Sequence, residues 1–152
     1  MLRHNSLTKF VVAVPPVTKT AATACATNTV TGAGGNTNGG IDTKGYRRLI
    51  AVFQAGAMAA SATCAFKLQE SSDEAAADAY ADITGAAITS FADTDDNYCA
   101  VVEINLDSRE RYIKAVATPG TTDSTAVSVL FILTDPIVVP VTQVKTAVVV
   151  NS

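Results

Sequence analysis

The sequence has no tryptophan, a single histidine, and charged residues at only 16% of 152 positions. Each shortage closes off some chemistry. The histidine is His4, in an amino-terminal stretch where nothing fixes the ring, so neither a Ser–His–Asp nor a Cys–His arrangement can be assembled. Aromatics make up 6% of the chain, which leaves no platform for stacking sugars or bases. The cysteines are three, Cys25, Cys64 and Cys99, with no CxxC pair. An odd, scattered set is neither the framework of a small disulfide-stapled domain nor a zinc site. Buried thiols acting as small hydrophobes are expected, with an intermolecular bridge in an assembled particle as the alternative.

Long apolar runs are missing too. No stretch reaches the ~18 uninterrupted apolar residues of a membrane span. The apolar segment from Phe10 to Val17 is short and broken by Pro15-Pro16, unlike the core of a signal peptide. The expectation is a soluble protein made in the cytoplasm, with no membrane partner. No Lys/Arg stripe with interleaved aromatics occurs, so no nucleic-acid partner is expected. The glycine-rich segment Gly32 to Gly40 lacks the Rossmann spacing and has no following lysine–serine/threonine pair, so it reads as a loop and not as a phosphate cradle.

Carboxylates are present but badly placed for catalysis. Asp93, Asp95 and Asp96, and Glu70, Asp73 and Glu74, fall in predicted exposed turns, where nothing drives their pKa values apart. Asp93-x-Asp95-x-Asn97 begins like a calcium loop, but Tyr98 stands where an EF-hand needs glycine and Ile104 where it needs glutamate. An ordinary solvated turn is expected there, with a calcium turn of another type as the alternative. No catalytic residue, cofactor-binding residue, metal ligand or cofactor is therefore assigned, and an enzyme is not expected.

What the chain does have is Ala, Val and Thr, with 48% hydrophobic residues, enough for one domain with a sizeable core. Such a composition suits β-structure, and the low charge mildly favours a component of an assembly. Charge is also uneven. Residues 1–50 carry six Lys/Arg against one Asp, whereas residues 51–108 carry one Lys against ten acids. A basic beginning beside an acidic middle suits contacts between neighbours, though it also fits a solvated surface.

Strand patterns recur along the chain. Leu49, Ala51 and Phe53 alternate with Ile50 and Val52; after a loop from Gly56 to Ser61, Cys64, Phe66 and Leu68 alternate with Ala65, Lys67 and Gln69. The two runs read as a hairpin. Thr20 to Val30 reads as one long strand, and Asp73 to Ala81 either as a lengthened turn leading to Tyr80 and Ile83 or as a helical turn or two. Ala86 to Phe91 is a strand fragment. Tyr98, Ala100, Val102, Ile104 and Leu106 share one face of the next strand, followed by Arg111 to Ala117 and by Thr125 to Thr134, which is apolar on both sides and hence central. Strands at short spacing with turns at each break give an all-β, single-domain β-sandwich, jelly-roll or Ig-like, with extended N- and C-terminal arms. The expected divisions are residues 1–20 as an amino-terminal arm or edge strand, 21–136 as the sandwich, and 137–152 as an extended carboxy-terminal strand or arm.

The opening Asp42-Thr-Lys-Gly-Tyr46, the apolar strand after it and the strand-and-turn Lys67-Leu-Gln-Glu-Ser-Ser-Asp73 occur in an order that resembles small structural proteins of tailed bacteriophages. The resemblance covers roughly Ile41 to Pro136. Arg111 to Val116 followed by Ala126 to Leu133 looks like that family's closing hairpin, while Tyr80 and Ile83 stand where the family has a Trp-containing piece and a strand, with extra alanines before them. The resemblance implies a decoration (cement) protein on the capsid exterior of the virion, or a relative in a head fibre or neck. Its partners would be the major capsid protein and other copies of itself, trimers being common in that class. Candidate contacts between subunits are Phe10, Val11, Val12, Val138, Val139, Val141, Val148, Val149 and Val150, because apolar strands of this kind need an edge to cover them. A carbohydrate- or surface-binding sandwich is the competing reading.

Overall fold

The computed structural model describes residues 7–19, 39–74, 77–120, 125–139 and 141. Among them are eight strands, all paired antiparallel: β1 (Lys9–Lys19), β2 (Ile41–Asp42), β3 (Tyr46–Met58), β4 (Thr63–Ser71), β5 (Ala81–Ala92), β6 (Cys99–Asn105), β7 (Tyr112–Pro119) and β8 (Thr125–Pro136). They form two four-stranded sheets, β1-β8-β3-β6 and β2-β7-β4-β5. The ladders are nested. First pairs with last, β2 with β7, β3 with β6 and β4 with β5, as in one long antiparallel ribbon. Rolling that ribbon up adds the β3–β8 and β4–β7 ladders. This is the jelly roll, the first of the two sandwich topologies that the sequence allows.

The core follows from strand periodicity. Leu49, Ala51 and Phe53 of β3, with Val127, Val129, Phe131 and Leu133 of β8, face Cys64, Phe66 and Leu68 of β4 and Ile113, Ala115 and Ala117 of β7. Phe66 bridges the layers. Its ring lies 5.0 Å from that of Phe53 in the opposite sheet and 5.5 Å, edge-on, from that of Phe91 in its own. Gly45, at φ +91°, turns the chain into β3, and its carbonyl accepts from Ile137 N–H at 2.8 Å, which ties the end of β8 to the start of β3.

Two expected hairpins are not hairpins. β3 and β4 lie in opposite sheets, and so do β7 and β8. The alternation Leu49/Phe53 and Cys64/Phe66 tells which face of each strand is buried, but two strands that face each other across a sandwich show the same pattern as two that pair side by side. The β3–β4 connection is a corner, and the acidic turn holds it. Met58 N–H donates to the Asp96 carboxylate at 2.7 Å, and Ser61 N–H, at a residue with φ +66°, donates to Asp93 at 2.7 Å. Asp95 accepts from Ala92 N–H at 2.9 Å within the short 3-10 turn Asp93–Asp95. The carboxylates considered as calcium ligands are thus engaged as acceptors for backbone amides. Asp96→Ala would leave the amide of the nearly buried Met58 without its acceptor, and a loss of about 1–3 kcal/mol in denaturant unfolding is expected.

Of the two alternatives for Asp73 to Ala81, the helical turn does not form among the described residues, and a turn leads into β5 with Ile83. Instead the Asp78 carboxylate accepts from Ser72 N–H and Oγ, each at 2.9 Å, and the Asp73 carboxylate accepts from Ala77 N–H at 2.8 Å. Side-chain acceptors close this loop locally and compete with a helical ladder. Those bonds to Ser72 hold the Asp78 carboxyl below its ordinary pKa. Residues 20–38, and with them the expected strand from Thr20 to Val30, lie outside the described residues, as do His4 and Cys25.

Candidate interaction face

The outward face of one sheet is polar, as a solvated sandwich requires. On β4, Lys67 and Gln69 both reach Asp82 of β5, at 2.8 and 2.7 Å, and Lys114 of β7 lies 4.0 Å from the centre of the Tyr80 ring. Tyr80 also donates to the Glu74 carboxylate; burial, and then that bond, push its phenol well above the usual range. At the sheet's end Arg111 makes two bonds to Asp42, at 2.6 and 3.0 Å, and these hold the Asp42 carboxyl below the ordinary carboxylate range.

The outward face of the other sheet is different. Cross-strand partners share a face, so the ladders place Phe10, Ile132, Ile50 and Glu103 in one row and Val12, Leu130, Val52 and Val101 in the next. Seven of these eight side chains are apolar. Phe10, Val12 and Val101 are 40%, 42% and 57% exposed, and Ile50, Val52, Leu130 and Ile132 are half-buried. Polar rows bound the stripe. On one side Arg48 donates to Glu103 at 2.7 Å and lies 3.4 Å from Asp135; on the other Ser128 Oγ donates to Gln54 at 2.9 Å. An apolar centre with a polar rim is the anatomy of a protein-binding patch.

The sequence-based contact residues divide on this geometry. Phe10 and Val12 belong to the stripe. Val11 does not: it sits one residue out of phase, points into the core and is 3% exposed, so it is withdrawn as a contact. Val138 and Val139 are exposed beyond the end of β8, beside an open groove lined by Leu7, Arg47, Thr134, Pro136 and Ile137. Val141 is half-buried, and Val148, Val149 and Val150 lie outside the described residues. Sequence reading missed Ile50, Val52, Val101, Leu130 and Ile132. Their signal was present as apolar residues on the second side of β3, β6 and β8, and on β8 it was read as central burial.

Elsewhere the polar groups serve the fold. Glu70 accepts from Arg109 and from Glu110 N–H, at 3.1 and 3.0 Å, clasping the turn before β7. Among the described residues no three His, Cys, Asp or Glu side chains are grouped to hold a metal ion, and no helix is long and apolar enough to cross a membrane.

No family model matches the sequence, and no curated protein matches it. Among solved structures the chain is similar to the pentamer of Israel acute paralysis virus, at 13% identity over 93% of this chain and 78% of that one, with a TM-score of 0.40. A likeness of that degree carries no argument about this chain; the topology rests on the ladders.

Proposed function

We propose that this chain is a structural adhesion protein of a virion, a decoration or cement protein that binds the outer capsid surface of a tailed bacteriophage and bridges capsid subunits. The observation that carries this reading is the exposed apolar stripe on one outward face of a sandwich whose other outward face is polar. The motif resemblance over Ile41 to Pro136 supplies the partner class, the major capsid protein, and the jelly roll is an architecture that capsid domains use, along with lectins and cupins. The proposed action is passive. Phe10, Val12 and the neighbouring rows, with Val138 and Val139 and the tail residues Val141, Val148, Val149 and Val150, bury apolar area across joints between capsid subunits and resist the pressure of packaged DNA. No catalytic step and no cofactor enter it.

The test is copy number per particle, measured by quantitative mass spectrometry of purified virions. Hundreds of copies, on the scale of the major capsid protein, are expected. A handful would move the chain to a head fibre or neck, and absence from particles would retire the virion reading. A glycan array on the isolated protein then tests the sugar-binding sandwich.

A further inference from the structure

Three of the four sheet edges carry a device that discourages pairing. β1 has register shifts around Pro15-Pro16, β2 is two residues long, and β5 is broken by two register shifts and by Gly85 at φ +82°. The fourth, β6, has none. It runs seven residues in unbroken register on β3, and among the described residues no strand covers its other side. Leu106 N–H donates to Arg47 O at 2.8 Å and Tyr98 O accepts from Ala55 N–H at 3.1 Å, so the even-numbered residues of β6 bond to β3. The backbone groups of Cys99, Val101 and Glu103 therefore point away from the sheet. On the inward side Ala100, Val102 and Ile104 pack against the core yet remain half-buried, as side chains at an uncovered edge do.

We infer that β6 pairs antiparallel with β6 of a second copy, about a two-fold axis through Val101, joining the two apolar faces into one eight-stranded sheet. The register follows from charge and continuity. Centring on Glu103 would set two carboxylates opposite each other, which is unfavourable. Centring on Val101 sets Glu103 of each copy opposite Cys99 of the other, keeps the two carboxylates on opposite sides of the axis, and carries the row Val12–Leu130–Val52–Val101 unbroken into its mirror row. It also brings Ala100 of one copy opposite Val102 of the other, covering the half-buried inward residues. An isologous contact of this kind closes at two copies. The inference does not depend on the virion reading.

The test uses the full chain. Sedimentation equilibrium is expected to give twice the 15.7 kDa chain mass at micromolar concentration. V101P is expected to give the single-chain mass with an unchanged β-sheet circular dichroism spectrum, because the amide it removes points away from β3. V101C in a C25A/C99A background is expected to form a disulfide-linked dimer on mild oxidation, since directly opposed residues in a hydrogen-bonded pair lie about 5.5 Å apart, within disulfide reach; E103C in the same background is expected to remain unlinked. A monomeric or trimeric full chain, a V101P protein that stays dimeric, or linkage through position 103 in preference to 101 would each overturn the pairing. If V101P does not fold, the mass of the unaltered chain and the cysteine pair still decide.

Discussion

If the proposed capsid adhesion is right, Phe10→Asp with Val12→Asp is expected to abolish attachment to capsids prepared without this protein, while the isolated domain keeps its fold. Both side chains lie on the outward apolar stripe, 40% and 42% exposed, in rows that continue through Ile132 and Ile50 and through Leu130 and Val52. Two carboxylates there must be desolvated without partners if the face is to dock, and losing one interface anchor can already cost ~2 kcal/mol, about 30-fold, so the double variant is expected to lose at least ~100-fold in affinity. Neither residue contributes to the core, so the midpoint of thermal unfolding moves by only a few degrees, on the order of what ~1 kcal/mol produces in a domain of this size. Val11→Asp is the informative contrast. Its side chain is 3% exposed, and a charge there is expected to unfold the domain. Capsid binding by co-sedimentation and melting by circular dichroism read both results. Full attachment by the double variant would remove the stripe from the adhesion mechanism.

The second large effect is on stability. Phe66→Ala removes the ring that joins the two sheets, in contact with Phe53 at 5.0 Å and Phe91 at 5.5 Å, from a site 1% exposed. Deleting a buried phenylalanine costs about 3–5 kcal/mol, and the loss of two ring contacts places this site toward the upper end. Against a total of about 5–15 kcal/mol for a typical domain, the variant is marginal or unfolded at body temperature. Urea unfolding measures it. A loss below about 1.5 kcal/mol would mean that the sheets close around the vacancy and that the ring cluster is dispensable.

Much of this fold was legible in the sequence. Period-two alternation in Leu49 to Phe53, Cys64 to Leu68 and Ala100 to Leu106 fixed which residues face inward, because a strand has only two sides and water sorts them. Gly45, Pro119-Gly120 and the acidic turn at Asp93 to Asn97 marked breaks that the structure keeps. The candidate face was legible only in part. Phe10 and Val12 stood out because Pro15-Pro16 marked their strand as an edge, whereas Ile50, Val52, Leu130 and Ile132 read as the second side of central strands. β3 and β8 are indeed central in their sheet, but a central strand in a sandwich has one side in the core and one facing out.

The sequence by itself determined the all-β class, the inward side of each strand and the places where the chain turns. These are local properties, set by side-chain period and by backbone preferences within a few residues. The tertiary structure alone decided which strand pairs with which, that the corners after β3 and β7 pass between sheets, and that apolar residues from four distant segments meet on one outward face. Pairing is chosen by the non-local fit of one strand's edge and face against another's, a competition between alternatives with identical alternation, and only the assembled sandwich resolves it.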